Sequence, residues 1–549
     1  MTVTAGLNAE MREMIVQTLH QIVDRELPDS ARLELDARDE FPEAFIRKLL
    51  SPDVGMHLVF IPAEYGGLGG GALDICRVSE EMAGIDLGVA TAFLAICLGT
   101  DPILVGGTPE QKQRWLSRIA GEGLIVAYGV TEPSAGSNVA SIQTRADRVT
   151  DADGNVTGYR LNGTKQFITN GGVADLYTIL ARTPEGPSFF VVERDTPGLS
   201  VGRHEDKHGI RASNTSGVIL EDVTVPADHL LGGVEGEGLK QANAVFGYTR
   251  LMVGSFGLGA GQEALRRAVR YATERVQFGK KLIEFEGYGA KLLATPWIEL
   301  AAGRAYVEEI AARLDGGEEG LQVEGSVAKL WCTEAGNRAA ELAIQAHGGY
   351  GYSREYMVEK IKRDVRITTI YEGTSEIQQS IIGMHRWRTA VRSKGAWYEE
   401  QAAALDALAA EHPAVGAAEA AAATRDLNRT ILWLHQRRLA TRQPVQFRLA
   451  DMMARVEVAG AFCRRAAGAD GRHAELERLM ARLFARGTLA AVAAGAAACA
   501  AGSLADGDDA ESAAARELLA GLAGSDPLRA HAGTVDGLVE VAGRLPDLV

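Results

Sequence analysis

The sequence predicts a mainly helical α+β protein with four parts: an N-terminal helical domain, a middle antiparallel β domain, a C-terminal helical bundle and an additional C-terminal helical extension. Three observations carry this. Apolar residues recur at helical spacing on both sides of the chain's centre, short alternating runs cut by Pro and Gly fill the middle, and residues 389–549 form an alanine-rich tract with its own amphipathic face. With 549 residues, 46% of them hydrophobic and 23% charged, the chain has enough apolar surface for several cores, which excludes whole-chain disorder. The balance of 57 basic against 72 acidic side chains, a net charge of −15, argues against nucleic acid as a partner. Cys76, Cys97, Cys332, Cys463 and Cys499 are odd in number and form no C-x-x-C pair. That usage fits free thiols in a reducing cytoplasm rather than a disulfide framework, and no metal site is expected.

Residues 1–125 read as helices. Met11, Ile15, Leu19, Ile22 and Val23 share one helical face, and Glu10, Glu13, Asp24 and Glu26 interrupt any signal-peptide-like apolar run. Thr108, Pro109 and Gln111 spell a capping box with proline at the first helical position. The stretch Ile61 to Gly71 reads as a flexible surface loop without regular structure. Its glycines do not form a phosphate cradle, because no strand precedes them and no lysine follows. Residues 126–236 read as the β domain. Asp153-Gly154 and Asn162-Gly163 are hairpin signals, and Leu176 to Ala181, Phe189 to Val192 and Val218 to Val225 read as strands. Residues 237–388 read as a helical bundle from about Leu239, interrupted at Phe278-Gly279 and around His347 to Gly351. In the extension, Val445, Leu449, Met452, Met453 and Val456 mark a buried helix face. The uncharged stretch Leu489 to Leu504 is short for a membrane span and rich in alanine, so it reads as a buried helix of a soluble protein.

Four segments could carry chemistry. Tyr128 to Asn138 reads as a strand running into a Pro/Gly turn, with Thr131 and Ser137 hydroxyls and turn N–H groups available to a planar ring or a phosphate. Phe167 to Gly172 reads as a strand end and glycine turn. Arg275 to Gly279 reads as a helix stopping at a glycine C-cap, with Arg275 as a solvated helix-end cation. The fourth runs from Gln345-Ala346-His347-Gly348-Gly349 through Arg363-Asp364 to Tyr371-Glu372-Gly373-Thr374-Ser375-Glu376-Ile377-Gln378, its glycines permitting close approach of a backbone to a pyrophosphate and Thr374 reading as N-cap. Each segment alone is ordinary loop chemistry.

Together, and in this order, the T-E-P-x-A-G-S, I-T-N-G, R-x-x-F-G, Q-x-x-G-G-x-G and Y-E-G-T matches resemble the acyl-CoA dehydrogenase family of flavoproteins over roughly residues 10–388. The resemblance implies FAD as cofactor. Tyr128, Val130 and Thr131 would line the flavin ring, and Phe167 and Thr169 would cover its other side. Ser137 would reach the pyrophosphate or the substrate. Arg275, Phe278, Gln345, Gly348 and Gly349 would hold the ADP half of FAD from a neighbouring subunit. Thr374 and Glu376 would contact its adenosine end. Such a site needs at least a dimer.

Glu372 resembles the family's catalytic base, which takes an α-proton while a hydride leaves the β-carbon for the flavin. Tyr248, Arg250, Tyr371 and Gly373 would lie on the substrate side. Some relatives carry the base on an earlier helix, but Phe246 to Met252 contains no acid, which leaves Glu372. Thr91 to Cys97 contains no arginine, so simple dehydrogenation is expected rather than decarboxylation. Asn138, Asn214, Gln277 and Gly247 depart from the family pattern; Gly247 lacks an acid that some relatives use near the CoA adenine. The implied activity is oxidation of an acyl-CoA to the trans-2-enoyl-CoA, with electrons passed to an electron-transfer flavoprotein. The alternatives are a dehydrogenase of a carrier-protein-bound acyl group, or an oxidase or flavin monooxygenase on the same fold. The extension resembles that of very-long-chain acyl-CoA dehydrogenases in placement. It is expected to fold back on the catalytic body and favour a homodimer, with membrane-surface contact a weaker alternative.

Overall fold

The computed structural model describes residues 6–502 and 509–549. The chain divides into two compact units. The first contains residues through Ala260 together with Ala311–Gln322 and Lys360–Thr368; the second contains Gly261–Ile310, Val323–Glu359 and Thr369–Val549.

In the first unit, the Ala9–Glu26 helix buries Ile15, Leu19 and Val23, the face its periodicity predicts. Thr108 and Gln111 close the predicted capping box on Pro109–Glu122. The Ile61 to Gly71 segment departs from expectation. It contains a 3₁₀ turn at Ala63–Tyr65 and is packed rather than loose: a Cβ at Gly67 would meet the Ile61 carbonyl oxygen at 1.9 Å. The Leu87–Gly106 helix is apolar nearly all round, which is the pattern of a helix enclosed on every side.

The β sheet comprises β1 (Val126–Gly129), β2 (Arg145–Thr150), β3 (Val156–Thr169), β4 (Leu176–Thr183), β5 (Gly186–Glu193), β6 (Leu199–His204) and β7 (Thr215–Pro226). Its spatial order is β1-β4-β2-β3-β7-β6, with β5 on β4. The β2–β3, β3–β7, β4–β5 and β6–β7 ladders are antiparallel as expected, but β4 pairs parallel with both β1 and β2. Asp153-Gly154 lies in the predicted β2–β3 turn. Asn162-Gly163 does not turn the chain: it sits inside β3, where the register to β7 shifts between Leu161 and Gly163 and Gly163 takes φ 154°. The same backbone freedom that serves a hairpin serves a β-bulge.

A 37-residue helix, Gly238–Glu274, leads from the first unit into the second. There, Phe278-Gly279 is the tip of a hairpin between β8 (Val276–Gln277) and β9 (Lys280–Lys281) rather than a helix C-cap. Both tip residues have positive φ, 52° and 80°, the primed-turn geometry that suits the twist of two short strands. The remaining bundle helices include Thr295–Asp315, Gln322–His347 and Ser375–Arg392.

The extension packs on this bundle. Its Gln443–Ala467 helix buries Val445, Leu449, Met452, Met453 and Val456. Arg386, on Ser375–Arg392, holds Glu457 of that helix at 2.6 Å and Glu324 at 2.8 Å. Tyr306 donates its hydroxyl to Glu457 at 3.0 Å, and Trp331 meets Phe484 edge-on with ring centres 5.3 Å apart. The Leu489 end of the predicted buried helix lies in Ala474–Ala501, with Leu489 and Val492 fully enclosed; Leu504 lies outside the described residues. Leu87–Gly106 and Ala474–Ala501 are long and apolar enough to span a membrane, but 83% and 50% of their most apolar windows are buried within the fold.

Candidate functional site

The predicted site residues are distributed over both units. In the first, β1 sets Tyr128 against Phe189, rings stacked with centres 5.7 Å apart, and edge-on to Phe246 at 6.4 Å. Val130 is buried, Thr131 is half-buried and Ser137 is exposed. The turn after Thr131 is fixed by a pair that sequence reading did not single out. Glu132 and Lys165, both buried, meet at 2.7 Å, and Glu132 also accepts from the backbone N–H groups of Gln143 and Thr144. Lys165 donates further to the Val130 carbonyl at 3.2 Å, and the Gln166 N–H donates to the Thr131 carbonyl at 2.9 Å. Burial alone pushes the Glu132 carboxyl up, but the hydrogen bonds, Lys165 foremost, hold it below the ordinary glutamate value. Burial pushes Lys165 down to about 8. This pair ties the Thr131 turn to the neighbouring strand.

Two residues after Lys165, Phe167 sits in a second register break of β3, at φ 57° and 64% exposed. A large aromatic in that conformation and in solvent is doubly unfavourable for a strand residue. Thr169 returns to the ladder opposite Thr215. Asn170, at φ 62°, donates its side-chain amide to the Ala92 carbonyl at 2.8 Å. Asn214 accepts from the Gly172 N–H at 2.9 Å and so stitches the turn that presents Phe167. Tyr248 is buried and donates to Asp101, with Cys97 Sγ 3.7 Å from the same hydroxyl, so its phenol is already engaged within the protein. Arg250 is half-buried and reaches the Gln322 carbonyl at 3.4 Å.

In the second unit, the turn Tyr371, Glu372, Gly373 and Thr374 is half-buried. Glu372 has φ 54° and Gly373 has φ 92°. Gln378, fully buried, donates to the carbonyl oxygens of both, at 3.0 and 3.1 Å. Lys329, also fully buried, donates to the Gly373 carbonyl at 2.7 Å. A Cβ at Gly373 would lie 2.6 Å from the Gln378 amide nitrogen, so glycine is required there. Thr374 caps the Ser375–Arg392 helix as predicted, Ser375 donates to Glu334 at 2.6 Å, and Glu376 is exposed. The clamp fixes the carbonyls of Glu372 and Gly373, and with them the backbone that carries the carboxylate. Gln378 closes the fourth segment of the sequence without a role of its own there, and Lys329, remote in the chain, is not a sequence candidate.

A separate surface of the second unit gathers the other predicted residues. Phe278, at the hairpin tip, is 95% exposed. Arg275 is exposed, its guanidinium 5.7 Å from the Tyr350 ring centre. Gln345 is exposed in the last turn of Gln322–His347, Gly348 and Gly349 are exposed on the turn that follows, and no atom beyond the neighbouring residues lies within 4 Å of a Cβ placed on either glycine. His347 itself is buried, stacked on Tyr271 at 4.6 Å with Nδ1 on the Ala343 carbonyl, and burial lowers its pKa. Open glycine backbone beside an arginine and an exposed aromatic can take a phosphate and a flat heterocycle. No group of three or more His, Cys, Asp or Glu placed to hold a metal occurs among the described residues.

Comparison with known proteins identifies the three domains. Residues 9–122, 127–223 and 236–386 match, in turn, the models of the acyl-CoA dehydrogenase N-terminal, middle and C-terminal domains. The NADH-dependent acryloyl-CoA reductase of Anaerotignum propionicum is 37% identical over 376 residues, 68% of this chain and 93% of that protein. Butyryl-CoA dehydrogenase of Megasphaera elsdenii superposes with TM-score 0.64 at 34% identity, over 69% of this chain and 98% of its own. An acyl-CoA dehydrogenase of Bacillus anthracis, solved with FAD, covers 100% of this chain and 97% of its own at TM-score 0.84, extension included; at 24% identity it speaks for the fold. With its three domains matched in order, and relatives 37% and 34% identical over nearly their whole length, the chain belongs to the acyl-CoA dehydrogenase family.

Proposed function

We propose that this enzyme oxidises an acyl-CoA thioester to the trans-2-enoyl-CoA, with Glu372 as the base that takes the α-proton. The observation that carries the reading is the Glu372 turn itself, a carboxylate-bearing residue at φ 54° whose carbonyl is pinned by a buried glutamine. An α-proton of a thioester is too weakly acidic for a free carboxylate, so the base must be aimed and the developing enolate charge stabilised. Holding the base costs backbone strain, which the Gln378 and Lys329 hydrogen bonds offset.

FAD, when bound, supplies the hydride acceptor. The residues present suit it: Tyr128, Val130 and Thr131 offer an aromatic face, an apolar wall and a hydroxyl, and Phe167 and Thr169 offer a second face. Ser137, Thr374 and Glu376 stand at exposed turns and at a helix start, where anionic and ribose groups are commonly held. Arg275, Phe278, Gln345, Gly348 and Gly349 would take the ADP half of the FAD of a second copy. Phe278 in particular is a large apolar side chain at a hairpin tip with nothing covering it in one chain, which fits a homodimer.

The electrons would leave to an electron-transfer flavoprotein. The same residues serve the reverse reaction, Glu372 then returning the proton, so direction is set by the acceptor's potential. A second reading, with the acyl group on a carrier protein, is favoured by Gly247: the nearest side-chain atom to a Cβ there is Gln322 Cγ at 3.9 Å, and no acid occupies the position. The five cysteines are buried and none of them forms a disulfide among the described residues, which fits a cytoplasmic setting.

Anaerobic bleaching of the enzyme's flavin by acyl-CoAs of graded length tests the reading. Fast bleaching by at least one of them, with the enoyl-CoA as product, is expected. Flavin that stays oxidised with every acyl-CoA but bleaches with an acyl-carrier protein would shift the assignment to the second reading.

A further inference from the structure

Within the second unit, a cavity of about 240 Å³ opens where the Thr295–Asp315 helix meets the extension. Ile298, Leu483, Phe484 and Leu538 give it apolar walls, and Arg455 lies on its wall. Arg455 is a half-buried arginine of the Gln443–Ala467 helix. Its guanidinium carbon stands 5.4 Å from the Trp331 ring centre and 5.1 Å from that of Phe484. Its Nε is buried and has no hydrogen-bond partner among the described residues.

The acid on the cavity wall does not pair with it. Glu299 is held instead by Arg338, at 2.8 Å. Thr295 and Thr534, also on the wall, donate their hydroxyls to the Ala290 and His531 carbonyls, each at 2.9 Å, so their protons are already engaged. Burial lowers the Arg455 pKa, Glu299 partly offsets that, and Arg338 adds to it. Aromatic faces on a guanidinium support its charge but satisfy none of its N–H groups. A buried donor without a partner is costly, and an arginine's planar fork matches a carboxylate.

We propose that this cavity binds a small organic carboxylate, its carboxylate on Arg455 and its apolar body against Ile298, Leu483 and Leu538. The volume equals roughly eight waters at liquid density, enough for an acid the size of benzoate. The apolar side chains beside Arg455 favour such a molecule over inorganic phosphate, which has no apolar part, although Glu299 and His531 also line the cavity. The ligand would touch both the catalytic bundle and the extension, so binding would stabilise their packing.

The test uses the full-length, flavin-loaded protein and titrates benzoate by calorimetry. One saturable site per chain is expected, with affinity at least about tenfold weaker in Arg455→Met, intermediate in Arg455→Lys, and no competition from inorganic phosphate. Arg455→Met is expected to keep wild-type flavin content and melting temperature, because methionine fills the space without an orphaned donor. Co-crystals with 4-bromobenzoate should place the bromine in this cavity, and that readout decides the matter even if the methionine variant folds poorly. No saturable uptake, equal uptake by Arg455→Met, bromine elsewhere, or phosphate binding as tight as benzoate would each overturn the proposal.

Discussion

Gln378 donates its side-chain amide to the carbonyl oxygen of Glu372 at 3.0 Å, and from full burial it holds that residue in a left-handed conformation. A glutamate at φ 54° carries strain of about 1–3 kcal/mol, so the turn relaxes when the clamp is removed. Gln378→Leu should therefore lower kcat by about 10- to 100-fold, since a displacement near 1 Å at the base can cost that much. Flavin content and KM should change little. A kcat equal to wild type would mean that the turn holds itself without Gln378.

Glu132 and Lys165 form a buried ion pair beside the Thr131 turn, at 2.7 Å. Removing one partner strands the other charge, a loss of about 3–5 kcal/mol, whereas removing both should recover much of it. Chemical denaturation of Glu132→Gln, Lys165→Met and the double variant measures this coupling. Additive losses would mean that the two residues act independently.

The pH dependence has a definite sign. Lys165 titrates at about 8 in the folded protein against an ordinary 10.5. Between those values the unfolded chain binds more protons, so this group's contribution to stability rises with pH across that window. Lys165→Met should flatten the slope of Tm against pH from about 8 to 10 relative to wild type.

Arg386 joins the bundle to the extension through Glu457 and Glu324. Arg386→Met leaves two carboxylates without their cation and should cost about 3–5 kcal/mol. Truncation after Arg388 should expose the apolar face of the bundle and cause aggregation or a shift towards tetramer, read by light scattering. A soluble, active dimer after truncation would make the extension a detachable module.

Much of this was legible in the sequence because it is local. The Thr108 cap, the Thr374 cap, the Ile15–Leu19–Val23 face and the β4, β5 and β7 strands are each written within a dozen residues. Errors came where one dipeptide serves two geometries. Asn162-Gly163 fits a hairpin or a bulge, and Phe278-Gly279 fits a helix cap or a primed turn; only the partner strand decides. The clamps were not legible. Lys329 lies 44 residues from Gly373 and Lys165 lies 33 from Glu132, and a lone lysine in a helix or strand reads as solvated until the fold buries it.

The most direct test of the account is the half-reaction of Glu372→Gln with the best acyl-CoA under anaerobic conditions. The variant keeps shape and hydrogen bonding at the turn but cannot accept a proton. It should bind FAD as wild type does, bind the acyl-CoA, and bleach its flavin at least about 10²–10⁴-fold more slowly. Bleaching at the wild-type rate, with enoyl-CoA formed, would contradict the assignment of Glu372 as the base.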